Sequence, residues 1–166
     1  TEMQEPECFG EHNGRIKLLV TGGHAPYRYS LNGGDFGGSS TFIALGAGVY
    51  TLTVRDAHGC ITSFIDTLGQ PPPIEVVLPG DTSIILGDSL LIFANFFNAF
   101  GNVHYQWSSS LVDTFTCVDV VHCDEIWVKP ILTNTYHVTI TDANGCAGKA
   151  SVQVTVEKPR GVYVPT

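Results

Sequence analysis

Polar and apolar positions alternate along much of this chain. RIKLLVTG (15–22), VYTLTV (49–54) and YHVTIT (136–141) all show the pattern. A period of two is the mark of a strand with one buried face. In VYTLTV it places Tyr50, Leu52 and Val54 on one side and Thr51 and Thr53 on the other. No segment sustains a period near 3.6, so no helix is expected. Turn chemistry punctuates the strands. Gly22-Gly23 stops the first run, Asn32-Gly33-Gly34 follows PYRYSL as a hairpin-type turn, and Asp56-Ala57-His58-Gly59 ends VYTLTVR.

One of these hairpins is written twice. YTLTVRDAHGC (50–60) aligns without a gap on YHVTITDANGC (136–146), 86 residues later. Tyr50, Asp56, Gly59 and Cys60 meet Tyr136, Asp142, Gly145 and Cys146. That spacing is too long for a solenoid repeat and suits two consecutive small domains. Pro71, Pro72 and Pro73 remove backbone donors and predict a stiff, extended linker. The expected division is 1–73, 74–158 and a linker or extended tail, 159–166. The fold class is all-β: two tandem Ig-like β-sandwiches. Tyr50 and Tyr136 take the place of a corner tyrosine, and Trp107 that of the aromatic a sandwich buries on its third strand.

Composition narrows the partners. The net charge is −8, which argues against nucleic acid and anionic membrane surfaces. No apolar run approaches the ~20 residues that span a bilayer, so no membrane insertion is expected. The sequence starts without Met or a signal peptide and reads as a mature or excised segment, which leaves secretion open. The sequence offers no recognisable catalytic set. Ser39, Ser40 and Ser108 to Ser110 lack a nucleophile-elbow context. The six histidines, His12, His24, His58, His104, His122 and His137, form no zinc-protease motif. No catalytic residue is expected.

With hairpins and linker placed, residues 1 to about 73 resemble the SprB-type repeat of Bacteroidota surface adhesins. Cys8, VTGGHAPYRYSLNGGDF, LGAGVYTLTVRDAHGC and QPPPI carry the likeness. Residues 74 to 158 resemble the Ig-like, PKD-like module that precedes the sorting domain in such proteins, through ILGDSLLIFA, YQWSSS, NTYHVTITDANGC and VQVTVEK. The closing VYVPT is similar to the lead-in of the gliding-motility-associated C-terminal region. The resemblance implies type IX secretion, an extracellular cell-surface location and a non-catalytic role in adhesion, filaments or module spacing.

An extracellular chain pairs its cysteines. The expected bridges are Cys8–Cys60, tying the first strand to the closing hairpin, and Cys117–Cys123, closing a local loop. Cys146 is left over, as a buried thiol or an intermolecular bridge. A zinc site from Cys117, His122 and Cys123 lacks a second ligand pair, so no metal ligand is assigned and no cofactor is expected. Calcium at the recurring Asp56 and Asp142 is the remaining cation reading. Thr67 and Ser89, each after an Asp and before a Leu, resemble the O-glycosylation motif of exported Bacteroidota proteins. Phe96, Phe97 and Phe100 are interface candidates if they crown a loop. Edge strands offer a route to a homo-oligomer or polymer. The alternatives are a carbohydrate-binding module for surface glycans, with Tyr27, Tyr29, Trp107 and Trp127 as its aromatics, and an accessory domain of a larger secreted enzyme.

Overall fold

The computed structural model describes residues 1–119 and 122–158. The expected tail 159–166, with its VYVPT segment, lies outside them. The chain divides between Pro72 and Pro73 into two compact units, Thr1–Pro72 and Pro73–Thr166. Every regular element among the described residues is a strand.

The first unit holds β1 (Glu2–Gln4), β2 (Gly14–Lys17), β3 (Arg28–Leu31), β4 (Thr41–Leu45), β5 (Gly48–Arg55) and β6 (Ile61–Leu68). One sheet runs β1-β2-β4 and the other β3-β5-β6. Ile16, Leu18 and Leu45 from or beside the first sheet meet Leu52, Val54 and Leu68 of the second in one buried cluster. Two sheets sharing one core make a sandwich. Ile16, Leu52 and Leu68 are almost completely buried, and each contributes about 1.5–3 kcal/mol of transfer free energy. The turn after β3 is tight because Asn32 and Gly33 both take positive φ, 50° and 74°, a conformation these residues tolerate best. The Gly34 N–H then closes on the Leu31 carbonyl at 3.0 Å.

The second unit holds β7 (Glu75–Val77), β8 (Thr82–Ile85), β9 (Leu90–Phe93), β10 (Asn95–Phe97), β11 (His104–Ser109), β12 (Phe115–Cys117), β13 (Glu125–Val128), β14 (Asn134–Thr141) and β15 (Ala147–Glu157). Its sheets are β11-β14-β15-β8 and β12-β13-β9, with β7 paired to β10. Tyr136, Val138 and Ile140 of β14 alternate inward and meet Ile126 and Val128 of β13 in the core. The β15–β8 pairing is parallel, with Val154 opposite Thr82 and Glu157 opposite Ile85. Trp107 is buried on β11 and donates its indole N–H to the Cys123 carbonyl at 2.8 Å. The chain is therefore all-β, two Ig-like sandwiches in tandem.

Each unit anchors its penultimate strand with a tyrosine. The Tyr50 hydroxyl on β5 donates to the Gly46 carbonyl at 2.8 Å, four residues upstream. Tyr136 on β14 takes a different partner and donates to the Asp113 carboxylate.

Candidate functional site

The repeated turn is a carboxylate clamp. In the β5–β6 turn, Asp56 Oδ1 accepts the backbone N–H groups of His58 and Cys60, both at 2.9 Å. Its Oδ2 accepts the N–H of His24 at 3.2 Å, from a loop 32 residues earlier. The Ala57 N–H returns to the His24 carbonyl at 2.9 Å. Gly59, at φ 83°, lets the chain turn back. In the β14–β15 turn, Asp142 Oδ1 accepts from Asn144 and Cys146, both at 2.9 Å, and Oδ2 accepts from Phe100 at 3.0 Å. The Ala143 N–H bonds the Phe100 carbonyl at 3.1 Å. The aspartates thus stitch each closing hairpin to a preceding loop. These bonds account for both carboxylates as turn clamps, without the calcium reading.

Side chains differ where backbones agree. The loop residue is His24 in the first unit and Phe100 in the second, and the turn residue is His58 against Asn144. The His24 and His58 rings lie 4.0 Å apart, tilted by 47°. His24 Nδ1 is 4.0 Å from Asp56 Oδ2. Among the described residues these three side chains bring nitrogen and oxygen donors within 4.8 Å of one another. The Asp56 side chain is only 9% exposed, whereas His24 is 68% exposed. Burial alone would raise the Asp56 pKa, but the N–H donors of Cys60, His24 and His58 outweigh it and hold the carboxyl below its usual value. Sequence reading missed this cluster because His24 and His58 are far apart in the chain. The available signal was the one-letter difference between DAHGC and DANGC.

The cysteines require a correction. Cys117 and Cys123 are joined, with Cα atoms 4.9 Å apart. The expected Cys8–Cys60 bridge is absent: Cys60 is a free, exposed thiol, while Cys8 is buried and disulfide-bonded. Cys146, expected to be the odd cysteine, is also disulfide-bonded. A disulfide needs Cα atoms within about 7 Å, and the fold leaves Cys60 exposed at the hairpin exit while Cys8 is buried.

The phenylalanine stretch separates into two kinds of residue. Phe96 sits on β10, packs against the core and meets Tyr105 edge-on at 6.3 Å. Phe97 and Phe100 are exposed. Thr67 on β6 and Ser89 before β9 are both exposed. Among the candidate aromatics, Trp107 is buried and Trp127, on β13, is about half exposed.

A second surface feature is β6 itself. It pairs with β5 along eight residues, and among the described residues no strand pairs with its other side. Ile61 and Ile65 are 60% and 70% exposed there. A long, unpaired edge with exposed isoleucines is the form that accepts an added strand.

Residues 1–36 match the model of the SprB repeat. No curated protein matches the chain. Among solved structures, the chain is similar to the N-terminal eight Ig domains of Down Syndrome Cell Adhesion Molecule isoform 1.30.30. Identity is 16% and the TM-score 0.45, with 94% of this chain and 24% of that chain covered. The present chain thus spans about a quarter of that one. It is also similar to the fibronectin(III)-like modules of Clostridium thermocellum CbhA, at 12% identity and a TM-score of 0.41, with 99% and 98% covered. Murine CEACAM1b follows at 11% identity and a TM-score of 0.38, with 92% and 96% covered.

Proposed function

We propose that this chain is a non-catalytic adhesive or structural module of a Bacteroidota cell-surface protein or extracellular filament, exported by type IX secretion. The SprB-repeat match at residues 1–36 carries this reading. Two features support it. Both units put their chemistry into holding hairpins closed, through the Asp56 and Asp142 clamps and the Tyr50 and Tyr136 anchors. The β6 edge also offers unpaired backbone, on a strand with exposed Ile61 and Ile65, to a second copy of the chain.

The test is mass per particle on natively purified material, by light scattering with negative-stain microscopy, with and without reductant. Regular polymers that Ile61→Lys and Ile65→Lys abolish support a filament subunit built through β6. A monomer at every concentration removes self-assembly and leaves a spacer or binding module. The exposed face of Trp127 favours a second reading, a carbohydrate-binding module. A glycan array separates the two, because glycan binding lost in Trp127→Ala would establish the second.

A further inference from the structure

We propose that His24, Asp56 and His58 form a binding site for a divalent transition-metal ion, with zinc as the ion that suits the ligand set. The argument starts from what the fold does not require. The second unit makes the same clamp with the same backbone bonds, yet carries Phe100 and Asn144 where the first carries His24 and His58. The turn therefore closes without imidazoles. Their convergence on one carboxylate is chemistry added to a frame that stands without it.

The frame also preorganises the ligands. Two of the N–H groups that hold Asp56 belong to His24 and His58. The bonds that fix the carboxylate thus fix the backbones from which both rings project. A carboxylate offers about four lone-pair sites. The backbone uses three of them, from His58, Cys60 and His24. The remaining acceptor site is on Oδ2, the oxygen that faces His24 Nδ1 at 4.0 Å.

The donor set selects the class of ion. Two imidazole nitrogens and one carboxylate oxygen suit borderline ions of the zinc and copper type. Calcium and magnesium need oxygen cages that this turn lacks. In a tetrahedral zinc site with bonds of about 2.0–2.1 Å, neighbouring ligand atoms lie about 3.3 Å apart. The donors here already fall within 4.8 Å without an ion, so rotation of two exposed side chains closes the site. The fourth position is left to water. Two surface depressions reach Asp56. One, of about 170 Å³, is lined also by Val20, Tyr27 and Ile61, and a larger one, of about 420 Å³, by Pro26, Arg28 and Arg55.

The test is calorimetric titration of zinc chloride into the whole chain after chelator treatment, in a Cys60→Ser background that removes the free thiol. One equivalent should bind. His24→Phe and His58→Asn place the second unit's residues in the first, so the clamp is retained. Each should weaken zinc binding by about 100-fold or more, since loss of a mere supporting contact already costs 10–100-fold. Imidazole NMR signals of His24 and His58 should shift on zinc addition, and calcium should give no heat. Absence of a one-to-one heat, binding that survives the double variant His24→Phe/His58→Asn, or zinc shifts confined to other histidines would each overturn the proposal.

Discussion

The carboxylate of Asp142 accepts the backbone N–H of Phe100 at 3.0 Å, across 42 residues of chain. Asp142 is buried, and its removal takes the acceptor from three backbone N–H groups, those of Phe100, Asn144 and Cys146. Asp142→Ala should destabilise the second unit by about 2–5 kcal/mol, since hydrogen bonds to a charged group contribute about 1.5–3 kcal/mol each and are not additive. Urea unfolding followed by Trp107 and Trp127 fluorescence measures this. A shift below about 0.5 kcal/mol would show that the clamp is incidental.

Asp56 makes the first unit sensitive to acid. Its pKa is lowered in the folded state, so its contribution is fully present above the unfolded value of about 3.9. That contribution is lost as pH falls through the folded value. Asp56→Asn should therefore be less stable than the parent at neutral pH, with the gap narrowing below about pH 4. Hydrogen exchange at β5 amides across that range gives the comparison. A gap independent of pH refutes the assignment.

Tyr136 behaves in the opposite direction. Burial first, then its bond to Asp113 and that carboxylate's charge, push the phenol well above its usual range. Stability from this group is complete below the unfolded value of about 10 and is lost as pH rises through the folded one. Ultraviolet titration should show one tyrosine that ionises only as the second unit unfolds. Tyr136→Phe should cost about 1–3 kcal/mol and Tyr50→Phe about 0.5–1.5 kcal/mol, because only Tyr136 donates to a charged acceptor. Equal costs would remove the distinction.

Cys60 is exposed and free. Alkylation of the native, unreduced chain should modify one cysteine, and peptide mass spectrometry should place the label on Cys60. Reduction should then open the short Cys117–Cys123 loop and loosen the Cys123 carbonyl that holds the Trp107 indole. Trp107 emission should move to longer wavelength. A label on Cys146 instead would contradict the structure.

Period-two alternation made the strands of both closing hairpins legible. Tyr50, Leu52 and Val54, and likewise Tyr136, Val138 and Ile140, face their cores as the pattern requires. The parallel partnership of β8 with β15 was hidden, since strands about 70 residues apart carry no local mark of their pairing. The cysteines misled for a related reason. Spacing describes loop length, whereas bonding depends on which sulfur atoms the fold brings together: Cys60 stays free and exposed, while Cys146 at the same turn position is bonded. His24 escaped notice because its role depends on a loop meeting a distant turn. Only the repeat hinted at it, by writing His58 where its twin writes Asn144.

The parallel register of β8 and β15 has a mechanical meaning. The second unit's chain enters before β8 and leaves after β15, and Thr82 to Ile85 lie beside Val154 to Glu157 in the same direction. Once β7 parts from β10, tension pulls β8 from its first residue and β15 from its last. The load runs along the strands, so the bonds between them share it in shear rather than opening one after another like a zip. A chain threaded this way resists stretching at the point where force passes through it.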